Sequence, residues 1–244
     1  MKKVGFLIEM KDGKVKPACL GIIAAAHDFD AERVALLLEG NADDSLKTLE
    51  AHGIHRVVEI TTAAGPIPWH AEQWARAVVQ ALQHFNLQTL LGLASAQGKN
   101  ILSRVAAHLN APLVMDCTAV NLAKRTAAKS QFSGKAVARF SSHGEYHLYG
   151  IRPNALDPVS RPGEATLETF QVALEETGIT VLEIQQGASD RVDLTEADVI
   201  ISGGRGMENG ANFDILFECA QPISAAVGAS RVAVDAGWVS HSMQ

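Results

Sequence analysis

The sequence predicts an α/β fold: a mostly parallel sheet with an antiparallel extension, followed by the start of a second α/β domain. Three observations predict it. Short runs rich in Val, Ile and Leu alternate with segments whose apolar residues recur at helical spacing, the pattern of βαβ units. Hydrophobic residues are 47% of the 244 while aromatics are only 5%, which suits aliphatic parallel strands under alanine-rich helices. The alternation breaks after Val120 and resumes at Asp198.

The elements follow in order. Val4–Glu9 reads as the first strand and Leu20–Ala26 as a helix of small residues. Arg33–Leu38 is a second strand, Ser45–His52 a short helix closing near Gly53, and Arg56–Ile60 a third strand. Pro66 and Pro68 mark a loop before a longer helix on which Trp74, Ala77, Val78, Ala81, Leu82 and Phe85 share one face. Thr89–Leu93 is the fourth strand, Asn100–His108 a helix, and Leu113-Val114 opens a fifth strand. Ala136–Phe140 and Tyr146–Ile151 then read as an antiparallel hairpin turning at Ser142-His143-Gly144-Glu145. Pro153, Pro158 and Pro162 mark an irregular crossing, and Ile179–Ile184 a further strand.

Residues 1–186 are therefore expected to form one domain. The polar stretch 187–196, with Asp190, Arg191 and Asp193, reads as a linker. In 197–244, a strand at Asp198–Ile201 leads through Ser202-Gly203-Gly204-Arg205-Gly206 to a helix over about Asn212–Ala220, and Ala225-Ala226-Val227 leads into Gly228-Ala229-Ser230-Arg231. Fewer than 50 residues follow the linker. This second domain reads as cut short against the usual size of an α/β domain.

Several function classes are set aside. A net charge of −6 without a Lys/Arg stripe argues against nucleic acid, whose phosphates need clustered cations. Cys19, Cys117 and Cys219 lie far apart in no metal-binding pattern, and their odd number fits a reducing compartment. Glu9, Lys11, Asp12 and Lys14 interrupt the first apolar run too soon for a signal peptide. No stretch approaches the roughly 20 apolar residues of a membrane span. A soluble protein is expected, cytoplasmic or, after loss of a presequence, in the mitochondrial matrix. His52 with His55 and His143 with His147 have no neighbouring ligands at metal spacing and read as surface or turn histidines. Trp69 and Trp74 read as packing residues. No nucleophile motif is present.

The chemistry is concentrated in two glycine turns. Gly204 and Gly206 let backbone N–H groups approach a phosphate, and Arg205 adds a fork of donors. Gly228, Ala229, Ser230 and Arg231 repeat that logic at the next strand end. A ligand site and a plain strand-to-helix turn with an exposed arginine both remain open from the pattern alone. Ligands of open α/β sheets do bind at the carboxyl ends of strands. The run Gly92-Leu93-Ala94-Ser95-Ala96-Gln97-Gly98-Lys99-Asn100 approaches a P-loop. Its glycine gap is one residue too long, and Asn100 stands where Ser or Thr would hold magnesium, so it reads as a strand-to-helix turn.

Longer runs carry a resemblance. Ala197–Gly206, Asn209–Phe213 and Ala226–Trp238 closely resemble the flavin domain of electron-transfer flavoprotein alpha subunits, and Gly98–Ala107 and Gly150–Ala155 are similar to its first domain. The resemblance implies two Rossmann-like domains and a heterodimer with a beta subunit holding one FAD. Electrons would pass from flavin dehydrogenases to a quinone oxidoreductase or another acceptor. Such a protein is an electron carrier rather than an enzyme acting on a small substrate. It also implies that Arg205 contacts the cofactor, that Ser230 helps to hold it, and that Arg231 lies against the isoalloxazine and favours added charge there. Family members continue beyond the residues matching Met243-Gln244 with further FAD-binding segments, so the stretch 1–244 alone is expected to hold FAD weakly. The alternatives from other classes are a nucleotide-binding module without redox activity and a cofactor-free partner-binding subunit.

Overall fold

The computed structural model describes residues 2–184, 194, 197 and 199–244, and the chain divides into two compact units, Met1–Leu182 and Glu183–Gln244. The expected linker 187–196 lies outside the described residues apart from Leu194.

In the first unit, Lys3–Ile8 form strand β1, with Val4–Ile8 all buried, as a strand covered on both faces requires. Then come α1 (Pro17–Ala24), β2 (Glu32–Leu37), α2 (Ala42–Glu50), β3 (Arg56–Thr62), α3 (Ala71–His84), β4 (Thr89–Leu93), α4 (Ala96–Leu109) and β5 (Leu113–Cys117). The alternation read from periodicity holds throughout. Helices α2 and α4 begin earlier than their apolar pattern because Asn41 and Ser95 cap them, each accepting a backbone N–H of the first turn. The later strands are β6 (Ala119–Asn121), β7 (Thr126–Gln131), β8 (Ala136–Ser141), β9 (His147–Ile151) and β10 (Thr166–Gln171).

Seven strands form one parallel sheet in the order β10-β3-β2-β1-β4-β9-β5, with Gly65-Pro66 adding a short antiparallel strand against β3. Period-two alternation sorts the side chains between two cores. Val4, Phe6 and Ile8 pack with α1 and α2, whereas Leu7 packs with Trp74, Val78 and Leu82 of α3 and Leu102 of α4. Helices thus cover both faces of the sheet.

Two expectations need correction. The hairpin lies one strand earlier than the spacing predicts: β8 pairs antiparallel with β7, not with β9, and the reversal runs through Phe132, Ser133 and Gly134, all at positive φ. The antiparallel extension is a separate three-stranded sheet, β8-β7-β6. Strand β9 inserts in parallel between β4 and β5, with all five residues buried. His147 is therefore a core histidine, 2% exposed, and not a turn residue. Second, Ile179–Ile184 form no strand. Ile179, Val181, Leu182 and Ile184 are exposed, and the edge position beside β3 is taken by β10. The apolar alternation in 179–184 has no partner strand among the described residues to act on.

The chain changes its direction of growth across β1, so the carboxyl ends of β1 and β4 flank the switch point where ligands of such sheets bind. Here the chain supplies its own anion. Glu9 is 1% exposed, pairs with Lys16 at 2.9 Å and accepts a hydrogen bond from the Ser95 hydroxyl, which in turn accepts from the Gly98 N–H at 2.9 Å. The P-loop-like run thus meets a built-in carboxylate at the place where a P-loop holds phosphate.

Histidine burial gives an acid dependence. Burial, then Arg125 and His143, lowers the His147 pKa, and burial, then Arg33, lowers that of His55. The unfolded chain binds these protons at about pH 6.5 and the folded chain binds them only at lower pH. Their stabilising contribution is therefore complete above about pH 6.5 and is lost as the pH falls towards the folded pKa values. Urea denaturation should show stability falling on acidification through this window, and His147→Gln should flatten the slope. An unchanged slope in the variant would contradict this assignment.

Candidate functional site

The second unit is organised by two strands, β11 (Ile200–Gly203) and β12 (Ala226–Ala229), paired in parallel with Ser202 opposite Gly228 and Gly203 opposite Ala229. The Ser230 N–H donates to the Gly203 carbonyl at 2.8 Å and carries the pairing one residue further. Both sequence-predicted turns therefore emerge side by side at the carboxyl ends of adjacent strands. Helix α5 (Asp214–Ala220) follows the first, and α6 (Arg231–Asp235) the second.

Glycine sets the close approaches. A Cβ on Gly203 would lie 2.7 Å from Phe213 and 2.7 Å from Leu216, so its absence lets the helical segment pack on the strand. Phe213, fully buried, forms the small core of this unit with Ala233 and Met243. A Cβ on Gly228 would come 2.8 Å from the Ser202 hydroxyl, and one on Gly204 3.4 Å from the Ser230 hydroxyl, so the two turns touch through small groups. Around Gly206 the space is open.

Neither turn is closed by a side-chain cap. Gly204 precedes a single 3₁₀ turn, Arg205–Met207, held by Met207 N–H to the Gly204 carbonyl at 3.0 Å. Ser230 precedes α6, and its hydroxyl makes no capping hydrogen bond. Neither first turn contains an acidic residue. Among the described residues, the N–H groups of Arg205, Gly206 and Arg231 have no acceptor. Exposed donors converging from two adjacent turns suit an anionic ligand such as a dinucleotide phosphate.

The arginines differ. The Arg205 guanidinium is exposed and makes no hydrogen bond or ion pair among the described residues. Arg231 pairs with Asp235 one helical turn later, Nε to Oδ2 at 3.2 Å, with both side chains largely exposed. The structure thus brings together Gly204, Arg205, Gly206, Gly228, Ala229, Ser230 and Arg231. It turns the Arg231 head towards Asp235, an i,i+4 spacing visible in the sequence. Sequence reading missed the roles of Gly203 and Ser202. The signal for Gly203 was the Phe213 that follows it at packing distance, which only a folded chain reveals.

The exposed donors and open space of these two turns fit an anionic cofactor such as FAD, and the comparisons with known proteins give the family of the chain. Residues 4–175 match the electron transfer flavoprotein domain, and 193–244 match the electron transfer flavoprotein FAD-binding domain. The chain is 30% identical to a probable mitochondrial electron transfer flavoprotein subunit alpha of Caenorhabditis elegans, over 97% of this chain and 71% of that protein. It is 31% identical to the electron transfer flavoprotein subunit alpha of Pseudomonas aeruginosa, over 98% and 76%. Identity to the mitochondrial subunit alpha of Oryza sativa subsp. japonica is 32%, over 97% and 70%. The matches run along nearly the whole of this chain and about 70–76% of the relatives' length, and the chain belongs to the family of electron transfer flavoprotein alpha subunits.

Proposed function

We propose that this chain holds FAD at the joined carboxyl ends of β11 and β12 and, with a beta subunit, passes electrons from flavin dehydrogenases to a quinone oxidoreductase or another acceptor. The observation that carries the reading is the adjacency of the two uncapped turns, which places the hydroxyl of Ser230, the free guanidinium of Arg205 and unpaired N–H groups around one space. Bound FAD supplies the electron-accepting ring. The chain's own residues bind its charge, orient it and set its potential. Arg231 is the positioning cation in this reading: it leaves Asp235 for the ligand. An exposed i,i+4 pair is worth only about 0.3–0.5 kcal/mol, against roughly 1.5–3 kcal/mol for a charge-assisted hydrogen bond in a closed site.

We further propose that residues 187–196 link a first domain, 1–186, to the cofactor domain, 197–244. The division of the chain into units at 182/183 supports a boundary in this region. Among the described residues no helix is long and apolar enough to cross a membrane.

The second unit also supports a subunit partner. Val199 and Ile200, at the start of β11, are about half exposed, and apolar residues on a two-stranded sheet whose outer edges carry no further strand among the described residues invite a partner. Co-expression with a beta subunit should yield a one-to-one complex that retains flavin absorbance through gel filtration. A monodisperse monomer that ignores the beta subunit in pull-downs would remove the support for this reading.

A further inference from the structure

We propose that the first unit carries a second anion site, a cavity at the amino-terminal edge of its parallel sheet that binds a small phosphate-bearing molecule. The cavity measures ≈650 Å³, within the usual range for small-molecule pockets, and is lined by Lys2, Lys3, Arg125 and His147 together with the amide side chains of Asn86 and Gln88. Three cations converge there and no carboxylate lines it, in a chain whose net charge is −6. Such a concentration of one sign in a concave, partly desolvated space selects anions.

The wall is built rather than incidental. The Arg125 carbonyl accepts from the Ser142 N–H at 2.9 Å, and the Ser142 hydroxyl shares a hydrogen bond of 2.8 Å with His147 Nδ1. The His147 N–H donates to the Gln88 carbonyl at 2.8 Å. His147 lines the cavity, and its Nε2 is buried without a partner among the described residues. Lys3 is anchored by its ammonium to the Phe85 carbonyl at 3.0 Å and lies 3.8 Å from Glu32. Lys2 sits over the Phe29 ring at 5.0 Å, and neither Lys2 nor Arg125 enters an ion pair among the described residues. Their charge is available to a ligand.

The cations come from separate places: the start of β1 and the turn before β7. A planar carboxylate is met by one guanidinium from one side. A tetrahedral phosphate presents oxygens in several directions at once and matches donors that converge from different segments. The site is distinct from the FAD site, whose residues all lie in the second unit, and it uses none of them.

The test is calorimetric titration of the full chain with inorganic phosphate and with glycerol phosphate, each against sodium chloride of equal ionic strength, alongside NMR of the His147 ring. Lys2 and Arg125 are exposed, so Lys2→Ala and Arg125→Ala leave the fold intact. Each should weaken binding by about tenfold or more. Arg205→Ala, which disturbs only the second unit, should leave it unchanged. The ligand's charge should raise the pKa of His147 against the opposing cations Lys2, Lys3 and Arg125 and the nearby His143. Stronger binding of glycerol phosphate than of phosphate would assign the remaining volume to an organic group, and equal binding would assign the site to the phosphate alone. Heat no greater than that of chloride would overturn the proposal. So would binding that is lost in Arg205→Ala and kept in Arg125→Ala, because the anion would then belong to the turns of β11 and β12.

Discussion

Gly98→Ala is expected to destabilise the first unit by about 3 kcal/mol or more, although it replaces a helical glycine. On propensity alone the change should stabilise α4 by roughly 1 kcal/mol. Geometry reverses the sign. A Cβ at this position would lie 1.9 Å from the Leu93 carbonyl oxygen, 3.0 Å from its carbon and 2.9 Å from the Glu9 carboxylate. The first two are backbone atoms at the end of a strand held between β1 and β9 and cannot turn aside, so the first turn of α4 would have to lift off β4. That movement breaks the relay from the Gly98 N–H through Ser95 to Glu9 and leaves a buried carboxylate short of a donor. Gly206→Ala, with nothing near its Cβ, serves as the comparison and should cost little in stability. Denaturation of both variants checks this, and a Gly98→Ala chain as stable as the parent would show that the packing of α4 on β4 is looser than described.

Arg205→Ala should weaken FAD retention in the complex with the beta subunit by about 10- to 100-fold, the loss of one charge-assisted contact of roughly 1.5–3 kcal/mol. Arg231→Ala should cost less affinity, because Arg231 must first leave Asp235. Its larger effect is on the potential. A fixed cation beside the flavin favours added negative charge, and an interaction of about 1.4 kcal/mol corresponds to a shift of roughly 60 mV in a one-electron step. Arg231→Lys should shift the potential less than Arg231→Ala, since it keeps the charge but not the planar fork. Asp235→Asn should act in the opposite direction to Arg231→Ala by releasing the guanidinium. Redox titration after measurement of FAD content checks the series. Equal first potentials in the parent and in Arg231→Ala would leave Arg231 as a partner of Asp235 alone.

Much of this protein is legible in its sequence, where the information is local. The alternation from Val4 to Val114 reports strands and helices because burial on a sheet or helix face imposes its own period along the chain. The two glycine turns were readable because backbone approach to a ligand needs small residues at neighbouring positions, and the resemblance to flavoprotein alpha subunits lay in those same runs. Tertiary structure decided what depends on partners distant in sequence. Strand β9 reads the same whether it closes a hairpin with β8 or inserts between β4 and β5, because a short buried apolar run does not encode its neighbours. Ile179–Ile184 has strand composition but no strand beside it among the described residues, whereas the more polar Thr166–Gln171 pairs with β3 along its whole length. Glu9 announces nothing in the sequence, yet pairing β1 beside β4 delivers its carboxylate to the first turn of α4. Periodicity reports which face of an element is buried, while pairing and site assembly follow from which buried faces meet.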